Sequence, residues 1–170
     1  MSSLKNVSIQ RVGELLQVQS FLQSARISMF SERIDPLEIP ADLRNFEGTY
    51  LSGCGCMLAA LDSDQRVQAT IAFRDYDGRF PQLNFKQRKV VEVVRLFVAP
   101  EFRRSGLGGA LLGALTQHAK AQHVEVLYLH THPFLPSALE FWQANGFDVI
   151  EREADPQWQT IHMQHVLPET

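Results

Sequence analysis

The sequence predicts a mixed α/β (α+β) protein, a β-sheet covered by helices, and three features point there. The segment Val90–Val98 is apolar except at Glu92 and Arg95, is rich in β-branched valine and is halted by Ala99-Pro100. After Pro100 the apolar period lengthens from that of a strand to that of a helix, with Leu107, Leu111, Leu115 and Ala119 four apart and Leu112 beside them. From there to the end, short strand-like and helix-like segments alternate. The order is β-α-β-β in the first half and β-α-β-α-β-β in the second, the pattern of a sheet layered with helices.

Residues 7–12 alternate like a half-buried strand. Residues 14–29 carry Leu15, Leu16, Val18, Leu22 and Ile27 as a helical set, and residues 41–46 add a turn or two after Pro36 and Pro40 interrupt. A strand over Cys56–Leu61 meets another over residues 67–73 through the polar hairpin loop Asp62, Ser63, Asp64, Gln65. Residues 75–89, polar and holding Gly78 and Pro81, form an irregular excursion before the strand Val90–Val98. The next helix keeps Gln117, Lys120 and Gln122 on its wet side, and residues 124–130 return to strand. A second helix runs from about Pro136, where proline suits a first turn, to Asn145, with Gly146 at the left-handed position past its end. Residues 147–153 and 160–166 close the sheet.

The chain has 170 residues, 45% hydrophobic and 21% charged, with a formal charge of −3. This suits a single domain, 1–170, able to bury a core without disulfides or a structural metal. No apolar run approaches the roughly 20 residues of a membrane helix. The start, Met1-Ser2-Ser3-Leu4-Lys5-Asn6, lacks the apolar stretch of a secretory leader. The expectation is a cytoplasmic protein with no membrane partner. Dispersed basic residues argue against nucleic acid as a partner. Cys54 and Cys56 form a C-x-C without a second ligand pair, too few to close a tetrahedral site, so they read as small apolar strand residues and no metal is expected.

Chemistry concentrates between the strongest strand and the first long helix, at Arg103, Arg104, Ser105, Gly106, Leu107, Gly108 and Gly109. Three glycines there are costly if their only task is to make helix. They make sense where backbone must approach a ligand closely. The first N–H groups of a helix lack partners and sit at its positive end, so strand, Gly-rich turn and helix together cradle phosphate. The competing reading is a tight turn packed on the sheet. A P-loop is disfavoured because Gly108-Gly109-Ala110 lacks Lys and hydroxyl. A dinucleotide fingerprint is disfavoured by Leu111 and by the loop's late place in the chain.

Residues 90–113 resemble the acyl-CoA-binding core of the GCN5-related N-acetyltransferase (GNAT) family. Its signature Arg/Gln-x-x-Gly-x-Gly/Ala is matched by Arg103-Arg104-Ser105-Gly106-Leu107-Gly108. Further on, Ala138-Leu139-Glu140-Phe141-Trp142-Gln143-Ala144-Asn145-Gly146-Phe147 resembles the family's closing helix and the Gly-Phe of its next strand. The resemblance implies a twisted mixed sheet, helices on both faces, with central parallel strands splayed to admit acyl-CoA. It implies that Arg103 to Gly109 hold the CoA pyrophosphate, and that Leu96, Phe97 and Val98 pair by backbone with the pantetheine arm and polarise the thioester carbonyl. The implied activity is acetyl transfer from acetyl-CoA, the acyl-donor substrate, to an amine that attacks directly. The expected partners are a small-molecule or peptide amine acceptor and, at most, a second copy of the chain in a homodimer. A non-catalytic acyl-CoA-sensing module of the same fold is the alternative.

An alkylammonium with a pKa of ~10.4 must lose a proton before it attacks. Glu92, out of pattern among four valines, is the candidate base; it lies four residues from Leu96, about 13 Å of extended strand, so it acts through water. The alternative is a strand Glu paired with a basic residue on a neighbouring strand; Arg95, three residues away, faces the opposite side unless a bulge intervenes. Many family members return a proton to the CoA thiolate from a Tyr where this chain has Trp142, and their frequent Asn near the start of that helix is Leu135 here. Either the thiolate leaves unassisted or through water, or another group such as Tyr128 substitutes, or turnover is slow. His130 and His132, at the C-terminal end of a central strand, are further candidates for base or acceptor contact. His118 and His123 are expected on the surface, and His162 and His165 on the exposed face of the last strand.

Overall fold

The computed structural model describes residues 4–169. Met1, Ser2 and Ser3, part of the stretch read for a leader, lie outside the described residues. Within the described residues seven strands form one sheet: β1 (Ser8–Arg11), β2 (Cys56–Leu61), β3 (Val67–Asp75), β4 (Val90–Val98), β5 (Val126–Thr131), β6 (Asp148–Arg152) and β7 (Ile161–Val166). Their order is β1-β2-β3-β4-β5-β7-β6. The first four form an antiparallel meander and the last three an antiparallel group, joined by a parallel β4/β5 contact.

Among the described residues five α-helices cover the sheet: α1 (Gln19–Phe30), α2 (Ala41–Arg44), α3 (Phe46–Tyr50), α4 (Leu107–Ala121) and α5 (Ala138–Ala144). On one face α4 buries Leu107, Leu111, Leu112, Leu115 and Ala119 against Ile71, Phe73, Val91, Val93 and Leu127. The stripe read from the sequence is the face that packs. Gly108, Gly109 and Gly113 within this helix cost about 1 kcal/mol each relative to alanine. Each buried leucine stabilises by about 1.5–3 kcal/mol, so four of them outweigh the glycines. On the other face α1, α2 and α3 place Leu22, Leu43, Phe46 and Tyr50 against Met57, Ala59, Ala72 and Phe97.

Two local expectations need correction. Strand β1 is exposed along its whole length because it pairs only with β2 at the sheet edge; burial begins at Val12. The helix expected from residue 14 is broken at Val18, preceded by a separate 3-10 turn over Leu15–Gln17. There the Gln17 side chain accepts the Gly13 and Glu14 N–H groups and closes the turn on itself.

The sheet opens at its centre. Parallel pairing of β4 with β5 covers Val90–Val126, Val91–Leu127 and Glu92–Tyr128, and then ends. Beyond it, β5 continues against β7 alone and β4 against β3 alone. Three residues past the last β4/β5 pair comes a β-bulge: Thr70 faces Phe97 and Ala72 faces Val94, so Arg95 and Leu96 share Ile71 as their opposite. Arg95 takes φ +60°, a left-handed conformation that costs a non-glycine residue about 1–3 kcal/mol. The bulge turns β4 away from β5, and one edge of residues 93–98 is left facing the gap.

Candidate active site

The wide end of the gap meets the turn into α4. Pro100–Phe102 form a 3-10 turn, Arg104 takes φ +62°, and Gly106, at φ +89°, starts the helix with no side-chain cap. A Cβ at Gly106 would be strained whatever the space around it. Ser105 Oγ donates to the Phe102 carbonyl and accepts the Leu107 N–H at 3.3 Å, which fixes the turn from inside. The first helical bond joins Ala110 N–H to the Gly106 carbonyl at 3.0 Å. Among the described residues the Gly108 and Gly109 N–H groups have no partner, and a Cβ on Gly109 would meet nothing within 4 Å. Free N–H groups, open space, no acidic residue in the first turn and two exposed arginines, Arg103 and Arg104, suit a polyanion. A diphosphate fits this donor set. The Val98 carbonyl accepts from Arg103 Nε at 3.2 Å, so this backbone acceptor already has a partner.

At the narrow end, Glu92, Tyr128, His130 and His132 share one face of the sheet, the face opposite α4. Glu92 is wholly buried and makes four contacts with three cationic or basic side chains. Arg79 binds both of its oxygens, at 2.9 and 2.7 Å, Arg74 reaches Oε1 at 3.2 Å from the directly opposite position on β3, and His130 Nδ1 lies 3.4 Å from Oε2. Arg79 Nη1 also donates to Asp77 Oδ1 at 3.0 Å.

Burial alone raises a carboxyl pKa, but hydrogen bonds from Arg79 and the charges of Arg74 and Arg79 outweigh it and hold Glu92 far below the usual carboxylate range. A carboxylate held that low is a poor proton acceptor. The arrangement matches the alternative reading, a strand Glu paired with basic neighbours, and weighs against the role of general base. Arg95, as expected, is not its partner; the bulge points it to Asp42 instead.

His130 Nδ1 is buried and makes no hydrogen bond; 3.4 Å to Glu92 is contact distance for an ion pair without hydrogen-bond geometry. His132 Nδ1 donates to the Trp158 carbonyl at 3.1 Å, its ring stacks on Phe134 with centroids 5.1 Å apart, and burial pushes its pKa down.

Tyr128 is fully buried, 2.7 Å from His162 Nδ1, and His162 Nε2 is 2.8 Å from Glu153. Since a carboxylate only accepts, Nε2 carries the imidazole proton and the Tyr128 hydroxyl donates to Nδ1. Burial and the Glu92 charge push the Tyr128 pKa up. Its proton is committed and strongly held, which opposes the substitute-acid role. His162 is likewise wholly buried, contrary to the expected exposed face, because this hydroxyl and Glu153 satisfy both of its nitrogens. Glu151, Glu153 and His162 place ligand atoms within 4.8 Å of one another, yet His162 offers no nitrogen free of a hydrogen bond.

Trp142 lies in the core, edge-on to Phe141 and Phe147 at 5.0 and 5.2 Å between centroids. Its role there is packing. Sequence reasoning missed Arg79 and Arg74. Arg74 was open to discovery from hairpin register, whereas Arg79 reaches Glu92 from the irregular excursion and left no signal. A cavity of about 360 Å³ bounded by Arg88, Lys120, His123 and Glu125 lies at the far end of α4, about 20 Å from the glycine turn, and takes no part in the site. No helix among the described residues is long and apolar enough to cross a membrane.

Comparison with known proteins bears on the whole arrangement. The model of the acetyltransferase (GNAT) family matches residues 18–147. Human N-acetyltransferase 8 is 26% identical over 82% of this chain and 61% of its own length, and an uncharacterized N-acetyltransferase of Methanocaldococcus jannaschii is 32% identical over 44% of this chain and 32% of its own. The chain thus spans about three-fifths of the human relative and a third of the archaeal one. Among solved structures, a GNAT-family acetyltransferase from Staphylococcus aureus superposes with a TM-score of 0.77 at 24% identity, covering 95% of this chain and 99% of that one. The PaiA N-acetyltransferase of Thermoplasma acidophilum, solved in complex with coenzyme A, superposes with a TM-score of 0.67 at 16% identity, covering 98% and 100%. These likenesses extend the shared fold over nearly the whole chain.

Proposed function

The chain belongs to the acetyltransferase (GNAT) family, and from that premise we propose that it acts as one domain to move the acetyl group of acetyl-CoA onto a primary amine of a small molecule or peptide. The observation that carries this reading is the junction of an open glycine turn with the parted strands β4 and β5, which offers a phosphate cradle and an unpaired strand edge in line. The crystal structure of a relative with coenzyme A supports a CoA ligand for the fold.

In this reading the Gly108 and Gly109 N–H groups, with Arg103 and Arg104, hold the pyrophosphate. The edge of Leu96, Phe97 and Val98 pairs with the pantetheine arm and stabilises negative charge on the thioester carbonyl, a contribution of oxyanion-hole type. His130 takes the base role, with Glu92 orienting it. Contacts of this kind are often long before substrate binds and tighten afterwards. A proton on Nδ1, facing Glu92, leaves Nε2 free to accept. His130 removes one proton from the ammonium, the neutral amine attacks the carbonyl carbon, and the C–S bond breaks. The departing thiolate takes one proton from water, and the hydroxide left behind takes the second proton from the nitrogen. The balance is ammonium plus thioester giving amide, thiol and one released proton.

The test is calorimetric titration with CoA and acetyl-CoA, followed by thiol release across a panel of amines. Binding with turnover supports the reading. Binding without turnover on any amine favours the sensing module, and absence of binding overturns both.

A further inference from the structure

Just past the point where β4 parts from β5, the bulge gives one residue a left-handed backbone, and that residue is held from three elements. Arg95 donates through Nη2 and Nε to Asp42 Oδ1 and Oδ2, at 2.6 and 3.0 Å. The Tyr50 hydroxyl donates to Asp42 Oδ2 at 2.6 Å. On the strand itself, Thr70 Oγ1 donates to the Arg95 carbonyl at 2.8 Å. Asp42 lies on α2, Tyr50 on α3 and Thr70 on β3, and all three side chains are buried.

Attaching α2 and α3 to the sheet does not call for these charges, because Leu43 and Phe46 already bury there. A buried ion pair is in general no more stabilising than apolar side chains filling the same space. What a bidentate arginine–carboxylate pair adds is direction. Burial opposes the Asp42 charge, yet the Arg95 hydrogen bonds and charge keep its pKa below the ordinary value, so the pair is ionic. Because Arg95 is a bulge residue, fixing its side chain fixes the angle at which residues 96–98 run on along β3, away from β5.

We propose that Arg95 and Asp42 are positioning residues whose pair, steadied by Tyr50, sets the orientation of the residue 96–98 edge that polarises the acyl donor's carbonyl. The inference rests on the acetyl-CoA reading and deepens it, since it makes α2, which supplies no backbone to the gap, part of the transfer machinery. The clamp forms and breaks no covalent bond; it acts through the strand edge.

The test compares the wild-type chain with Asp42→Asn, which keeps shape and removes the charge. The probe is acetyl-CoA labelled with ¹³C at the carbonyl, and its stretching band is read by infrared difference spectroscopy on the bound donor. The expected result is a red-shifted band in the wild type that returns most of the way to the free position in Asp42→Asn. CoA affinity should stay within about threefold, because the glycine turn is untouched, and kcat should fall tenfold or more well below the melting temperature with little change in KM. An unmoved band and an unchanged kcat, with only a lowered melting temperature, would overturn the clamp and leave the transfer reading intact. A wild-type chain that binds no acetyl-CoA would overturn that reading and the clamp with it. Should Asp42→Asn fail to fold, Arg95→Lys, which keeps the charge but loses the bidentate geometry, carries the same outcomes.

Discussion

Glu92 has two lives available to a buried carboxylate, proton acceptor or permanent anion, and its neighbours choose between them. Arg79 and Arg74 surround it, so its charge is a fixed feature of the fold. Removing it in Glu92→Gln leaves two guanidiniums without their partner. A fully buried pair broken in this way costs roughly 3–5 kcal/mol; with both arginines about a third exposed, about 2–3 kcal/mol is expected at pH 7, read from urea unfolding. The pH dependence follows from the folded pKa lying below the unfolded one. The stabilisation is fully present above the unfolded carboxylate value near ~4.3 and drains as pH falls from there toward the folded value. Wild type should therefore lose stability between about pH 5 and pH 2 more steeply than Glu92→Gln, and parallel curves would show that the pair contributes nothing. If His130 is the base, His130→Ala should lower kcat roughly 10²-fold at neutral pH while sparing CoA affinity, and added imidazole should restore part of the rate. No restoration would return the base assignment to water or to another side chain.

At the scale of elements, the turn into α4 can be probed by two glycines that differ in what they do. Gly106→Val strains a left-handed position and should weaken both folding and CoA binding. Gly109→Val enters open space, so the melting temperature should hold while CoA affinity drops tenfold or more; unchanged affinity would remove Gly109 from the cradle. Arg79→Ala should speed hydrogen exchange across residues 76–89, where Phe80 and Tyr76 also pack on Tyr128, and leave the core of β3 protected. Equal exchange in both proteins would mean that the excursion is held by its aromatic side chains alone. These elements were unequally legible in the sequence. Strands β2 and β4 and the buried face of α4 could be read closely, because local periodicity fixes them. The excursion could be recognised as irregular but not placed, since its partners Glu92 and Tyr128 are distant in sequence. The φ of Arg95 had no local cue at all: arginine does not favour it, and Asp42, fifty-three residues earlier, stabilises it. His162 was misplaced because alternation marks polar residues as outward-facing, and here a tyrosine hydroxyl and a glutamate receive it inside.

For the whole molecule, three paired positions between β4 and β5 are all the parallel ladder that joins a four-stranded meander to a three-stranded group. Helix α4 bridges the two covalently and packs on both, so the sheet does not fall apart, but it carries a seam along its middle. Cohesion across that seam is borrowed in part from whatever lies in it. A pantetheine arm that hydrogen-bonds to one lip would serve as a removable strand, and the resilience of the fold would then track the cell's supply of the donor. At CoA a hundredfold above its dissociation constant the gain is about 2.7 kcal/mol. Hydrogen exchange should slow along residues 93–98 and 129–131, the two lips, and stay unchanged in β1. On the acetyl-transfer reading, such a protein would be at its most fragile between turnovers, when product has left and the next donor has not arrived, so starvation for the donor would mark it for proteolysis.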